Sequence, residues 1–427
     1  MQKPIYTSKR LVIPQQLPAD FSEIYFIIDF SSPDNVTEII IDNQGIQNEV
    51  LKLLEKGILR EQLPYGYSEY NEMMHHLIHP HSVIGDGENN IYIFYKQIPY
   101  YRKINLDTKG TELLPLGEDF DPDAIYPSTS QMDIKGNFYV SVNSFASRLQ
   151  KYTSKHDNME FKVGHFNTKT KKLSIISDTC AGLIDNVHQV GYSSKDFLVL
   201  IDMNLAVDYP LSPNVDVMSQ SFRENYPKAD FPVGNFYVYD LITRSFYSST
   251  PPLPTIAHAE FDLADPSIFY ISCHNMSKIK TKMVLHGPAA IVKYQYENGK
   301  IKELGTYSSD DFYRITTHKL FARNGKNYLA VNGYPNYLFI LETDSLKLVS
   351  KIKLFDSDER VHFDNGVYFS TDSNFIPLYL DVSEDGRFVF MPSAQFVYVV
   401  DLDSNTVVET VQFTQKTCIP TAHVLLV

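Results

Sequence analysis

The sequence predicts an all-β chain folded as one seven-bladed β-propeller, and three observations predict it. Short apolar runs rich in aromatic and β-branched residues recur along the chain, separated by turns of Gly, Asn, Asp and Ser. A two-strand unit repeats at intervals of about 50–70 residues, the spacing of propeller blades. When the units are set one under another, histidine recurs at the same place in five of seven. The chain has 427 residues, and closed all-β folds grow by adding repeats, so a single domain over residues 1–427 accommodates that length.

Taken in order, residues 46–60 carry the clearest helical period, with Ile46, Val50, Leu53, Leu54 and Ile58 near one face, and predict a short N-terminal helix. Almost everything after it reads as strand. The runs starting at Ile91, Phe138, Phe197, Ile268, Tyr328 and Arg387 are each apolar and bounded by turns. Most are followed by an alternating strand and a polar turn, as in Phe236-Tyr-Val-Tyr-Asp-Leu-Ile-Thr and Val397-Tyr-Val-Val-Asp-Leu-Asp-Ser-Asn. The one long interruption, residues 204–232, is rich in Pro, Asn and Ser and predicts a loop or lid over one face.

The net charge of −13 argues against a nucleic-acid or anionic-membrane partner, because phosphate binding needs a basic surface. Cys180, Cys273 and Cys418 are an odd number at wide spacing with no CxxC, so neither a disulfide framework nor a thiolate zinc site is indicated. No signal peptide and no run of about 18 apolar residues is present, and a cytoplasmic protein without a transmembrane segment is expected.

The seven aligned positions are His81, Thr129 or Ser130, His188, His258, His318, Tyr379 and His423. With 13 histidines in 427 residues, a random position holds one about 3% of the time, so coincidence explains the column poorly. The first strand of each propeller blade lines the central channel, and residues at its start converge on the axis. Neutral imidazole is the commonest transition-metal ligand, and an all-nitrogen site suits iron, copper, zinc or nickel. His188, His258, His318 and His423 are the preferred ligands, three on consecutive blades and one on the last. His81 lies in the cluster His75, His76, His79 and His81, which reads more simply as a polar loop. His274, at the far end of its strand from His258, falls outside the site. Glu260, Asp262, Asp265 and Asp372 are candidates to orient a ligand imidazole, and each has the plainer reading of a solvated turn. No GxSxG elbow, phosphate loop or dinucleotide fingerprint occurs.

Several segments resemble the carotenoid and stilbene cleavage oxygenases: Asn186-Val-His-Gln-Val-Gly leading through a strand to Asp208, the stretch around His258, Ile291-Val-Lys-Tyr-Gln-Tyr, Phe375-Ile-Pro-Leu with Glu384-Asp-Gly, and Pro420-Thr-Ala-His423. The likeness runs over about residues 80–427, and its motifs are degenerate. It implies a propeller holding a non-haem Fe(II) with four histidines, and O2 addition across a C=C bond of an apolar small-molecule substrate, with Tyr209, Phe222 and Tyr226 as candidates for the pocket wall. Two departures stand against it. The family's first ligand falls near Ser128-Thr129-Ser130, where no histidine occurs, and His318 stands where the family has a glutamate-proline segment. His81 or a contact from Ser128–Ser130 is then a candidate replacement for the missing ligand. The region from residue 204 to His274 is also similar to oligogalacturonate lyases, in which the His318 position would be the base. A non-catalytic propeller scaffold is the third alternative. A hydrophobic tunnel is expected of the oxygenase, Arg and Lys around the site of the lyase, and no metal of the scaffold. Oligomeric state is not encoded in any motif.

Overall fold

A computed structural model describes residues 5–20, 22–31, 36–55, 78–95, 98–117, 124–125, 130–144, 160–182, 184, 186–188, 196–202, 234–279, 282–285, 287–313, 315, 317–334, 336–356, 377–418 and 423–427. Seven antiparallel sheets follow one another around a ring. Blade 1 is Pro80–Gly85, Asn90–Tyr95, Tyr100–Asn105 and Thr111–Pro115. Blade 2 is centred on Phe138–Ser144 and Glu160–Asn167. Blade 3 starts with Asn186–His188, blade 4 with Ile256–Phe261, blade 5 with His318–Arg323 and blade 6 with Asp381–Val382.

Blade 7 is assembled from both ends of the sequence. Leu425–Leu426 forms its inner strand and pairs with Arg10–Gln16, which pairs with Glu23–Asp29, which in turn pairs with Val36–Ile41. Backbone bonds from Arg10 N to Val427 O (2.8 Å) and from Val427 N to Arg10 O (2.9 Å) extend the seam. The run Ile24 to Ile28, cut by Asp29, is thus a buried strand of this blade.

The expected helix is present as Gln44–Glu55, with Ile46 and Val50 fully buried. It starts two residues earlier than the apolar period predicts, and residues 56–60 lie outside the described residues. The 204–232 segment and its Tyr209, Phe222 and Tyr226 also lie outside them.

The core is divided among the junctions between neighbouring blades. Alternation sends one side of each sheet to each neighbour, so every junction has its own apolar cluster. Aromatics fill these wedges: Phe26 stacks on Phe413 at 4.0 Å between blades 7 and 6, and Phe236 packs on Tyr294 at 4.8 Å between blades 3 and 4. The turns after the inner strands share a device. Asp86, Asp133 and Asp262 accept backbone N–H bonds two residues on, and Ser383 accepts one from Phe388.

The junction of blades 7 and 1 also encloses a charge cluster. Arg102 donates through Nε and Nη2 to the two carboxylate oxygens of Glu23 at 2.9 and 2.7 Å, and the hydroxyls of Tyr95 and Tyr25 donate to the same carboxylate. Glu23 is 0% exposed and Arg102 5%. A pair so enclosed depends on both partners, because removing one leaves the other as an uncompensated buried charge.

Candidate functional site

The inner strands bring their first residues to the axis, and there the histidines meet. His258 is the hub. Its ring centroid lies 4.6 Å from that of His188, 5.2 Å from His318 and 5.2 Å from His423. The structure therefore gathers the four preferred residues into one layer. His81 joins through His423, with centroids 5.3 Å apart, and His423 N donates to His81 O at 2.6 Å. Tyr379 closes this side at 4.8 Å from the His423 ring, and its hydroxyl is 3.5 Å from His81 Nε2. In blade 2 the corresponding position is Ser130, 1% exposed; Ser128 and Thr129 lie outside the described residues. Thus six of the seven aligned positions are joined by side-chain contacts into one cluster.

Burial sets the protonation of the four imidazoles. It lowers His188 and His258 well below the ordinary histidine value, with the neighbouring rings adding to the effect, and lowers His318 and His423 to about 4. All four are neutral at pH 7. Hydrogen bonds then set the tautomer. His318 Nε2–H donates to Tyr270 O at 3.1 Å, which leaves Nδ1 as a lone pair, buried and without a hydrogen-bond partner. His188 Nε2 is likewise buried without a partner. His258 Nε2 faces Glu260 Oε1 at 3.4 Å.

The donor set therefore suits a transition-metal ion in kind: neutral imidazoles, two with a bare nitrogen. Spacing agrees too. A nitrogen about 2.1 Å from an ion puts its ring centre about 3.2 Å away, so two rings on one ion stand about 4.5–5.3 Å apart. The side chains as placed do not form a chelate, because among the described residues no three His, Cys, Asp or Glu side chains group their donors around one ion position.

A cavity of about 430 Å³ leads away from this layer along the axis. His188, His258 and His423 contribute to its inner end, and the exposed Lys9, Gly87 and Glu88 to its rim. Glu260 and Lys319 stand in its wall on blades 4 and 5, with Lys319 Nζ 3.7 Å from Glu260 Oε1. The carboxylates of Glu260 and Asp381 hold the Lys319 ammonium above the ordinary lysine value. Burial raises Asp381, which accepts backbone bonds from Val382 N at 2.9 Å and Leu426 N at 2.8 Å. His318 is not part of the described cavity wall and is 0% exposed.

Among the carboxylates expected to orient an imidazole, Glu260 is in place. Asp262 and Asp265 are corrected to turn residues. Asp262 accepts from Ala264 N and the Tyr270 hydroxyl, and Asp265 from Ser267. Asp372 lies outside the described residues. The expectation that His274 sits at the far end from His258 is corrected: it lies two residues past Ser272, the register partner of His258, and its backbone N bonds to Thr255 O at the start of the same inner strand. The sequence reading missed Lys319. Its signal was available: a cation one residue after an aligned histidine, inside a strand that lines the axis.

Cys180, Cys273 and Cys418 are free thiols. Among the described residues no helix is long and apolar enough to cross a membrane. No family model matches the chain, and no curated protein matches it. Among solved structures, the chain is similar to the crystal structure of a putative 6-phosphogluconolactonase from Bacteroides fragilis. The match has 12% identity and a TM-score of 0.50, covers 100% of each chain, and at that identity is a likeness of fold.

Proposed function

We propose that this protein is a transition-metal-dependent enzyme whose ion is held by His188, His258, His318 and His423 at the inner end of the axial cavity. Fe(II) is the proposed metal, and oxygenation of a C=C bond in a small-molecule substrate the proposed reaction. The observation that carries the reading is the tautomer of His318: its Nε2–H is committed to the Tyr270 carbonyl, so the nitrogen left bare is a buried lone pair on a ring packed against His258, which in turn contacts His188 and His423. Glu260 supports the same arrangement by engaging His258 Nε2 and fixing that ring's orientation. When bound, the iron would supply the redox chemistry that O2 addition requires, as the resemblance to the cleavage oxygenases implies. The remaining work falls to the chain. Val83, Val424 and Leu425 would give the substrate an apolar wall.

Elemental analysis of protein purified without a histidine tag tests the metal. About one transition ion per chain is expected, falling by about tenfold or more in His258→Ala and in His318→Phe. Protein that takes up no stoichiometric metal after reconstitution in Fe(II) would leave the scaffold reading in its place. Lyase chemistry with His318 as base is the second reading, and the cation Lys319 in the cavity wall favours it. Against it, His318 has no described surface in the cavity and spends Nε2 on Tyr270.

A further inference from the structure

The axial cavity has two unlike sides. Blades 7 and 1 present Val424, Leu425 and Val83, and blades 4 and 5, across the axis, present Glu260 and Lys319. Both side chains line the cavity and keep 23% and 38% of their exposure. Their charged ends stand 3.7 Å apart, longer than a hydrogen bond, so the ammonium and the carboxylate both retain unused capacity.

The two charges that the cavity presents are opposite. Glu260 faces Lys319 in its wall, while Asp381, the ammonium's second counter-charge, is not among the lining residues and accepts from Val382 N and Leu426 N. An incoming carboxylate or phosphate meets the Glu260 carboxylate. An incoming cation meets the ammonium. A neutral group that accepts from one partner and donates to the other satisfies both, and two adjacent hydroxyls do so.

We propose that the axial cavity binds a neutral small molecule carrying a vicinal diol, a sugar ring being the simplest case. One hydroxyl accepts from Lys319 Nζ, its neighbour donates to Glu260, and the C–H face of the ring rests on Val83 and Leu425. The inference rests on the reading of this cavity as the substrate site and adds a pair of adjacent hydroxyls to the small molecule proposed above. It does not rest on the metal.

The test is saturation-transfer NMR and calorimetry on the full-length, metal-reconstituted protein, with D-glucose, D-galactose and D-xylose as probes and sodium hexanoate and 1-hexanol as controls. At least one sugar binds the unaltered protein, and its affinity falls by about tenfold or more in Lys319→Met and in Glu260→Gln. Circular dichroism confirms that both variants fold. The proposal is overturned if no sugar binds, if sugar binding survives both substitutions, or if hexanoate binds and is lost in Lys319→Met, which would make the cavity an anion site. Metal content is measured on the same samples. Sugar binding by protein that holds no metal upholds this inference while removing the function proposed above.

Discussion

Lowering the pH should unfold the metal-free protein through its histidine layer. An unfolded histidine takes up its proton near 6.5, whereas burial holds His318 neutral down to about 4. Between these values the unfolded chain binds one proton more than the folded one, so stability falls as pH falls. The contribution is fully present above pH 6.5 and is lost as the pH drops toward 4. For His318 alone the slope is about 1.4 kcal/mol per pH unit, on the order of 3 kcal/mol over the whole window. His188, His258 and His423 act in the same direction; His423 counts for less, since part of it faces the cavity. The perturbation is His318→Gln, whose side-chain amide can keep an N–H near the Nε2 position for the Tyr270 carbonyl and does not titrate. Urea denaturation followed by circular dichroism at pH 7, 6 and 5, with chelator present, reads the slopes. The unaltered protein should lose about 1.4 kcal/mol per pH unit more than the variant between pH 6 and 5. Equal slopes would show that His318 is not held neutral, and the tautomer argument would fail with it.

Three further outcomes follow from the structure. Arg102→Met should cost about 3–5 kcal/mol in urea denaturation by stranding the Glu23 carboxylate, and adding Glu23→Gln should recover part of the loss. Gly386→Ala should lower the melting temperature more than Gly136→Ala. Both glycines have positive φ (71° and 77°), but a Cβ at Gly386 meets Ala322 O at 2.5 Å whereas one at Gly136 meets nothing within 4 Å, so only the backbone term of about 1 kcal/mol applies there. His81→Phe should leave metal content within about twofold of the unaltered protein, because the ring contacts of the proposed ligands centre on His258 and His81 reaches them through His423; elemental analysis decides.

Much of this architecture was legible because its cause is local. Alternating aromatic and β-branched residues with Asp or Ser turns recur once per blade, and periodicity reports that directly. The ring of histidines was legible for a related reason: homologous positions in a closed repeat fold share a radius and a height. What local pattern could not carry was partnership between distant segments. Nothing in Arg10–Gln16 says that its inner neighbour is Leu425–Leu426. Lys319 was overlooked because a single charged residue in a strand usually faces solvent, and only the position of that strand against the axis turns it inward. The tautomer of His318 depends on a carbonyl on the neighbouring blade, at Tyr270, invisible to spacing.

The seam in blade 7 ties assembly of the site to completion of the ring. His423 stands two residues before the sealing strand, and its backbone is fastened to His81 on the adjoining blade. Leu425 and Leu426 therefore lock against Val12 and Leu11, a pairing of very high contact order that forms slowly. Until that zipper engages, the layer lacks one imidazole, so a nascent or truncated chain should have weak hold on a metal ion and acquire its grip only at the moment of closure.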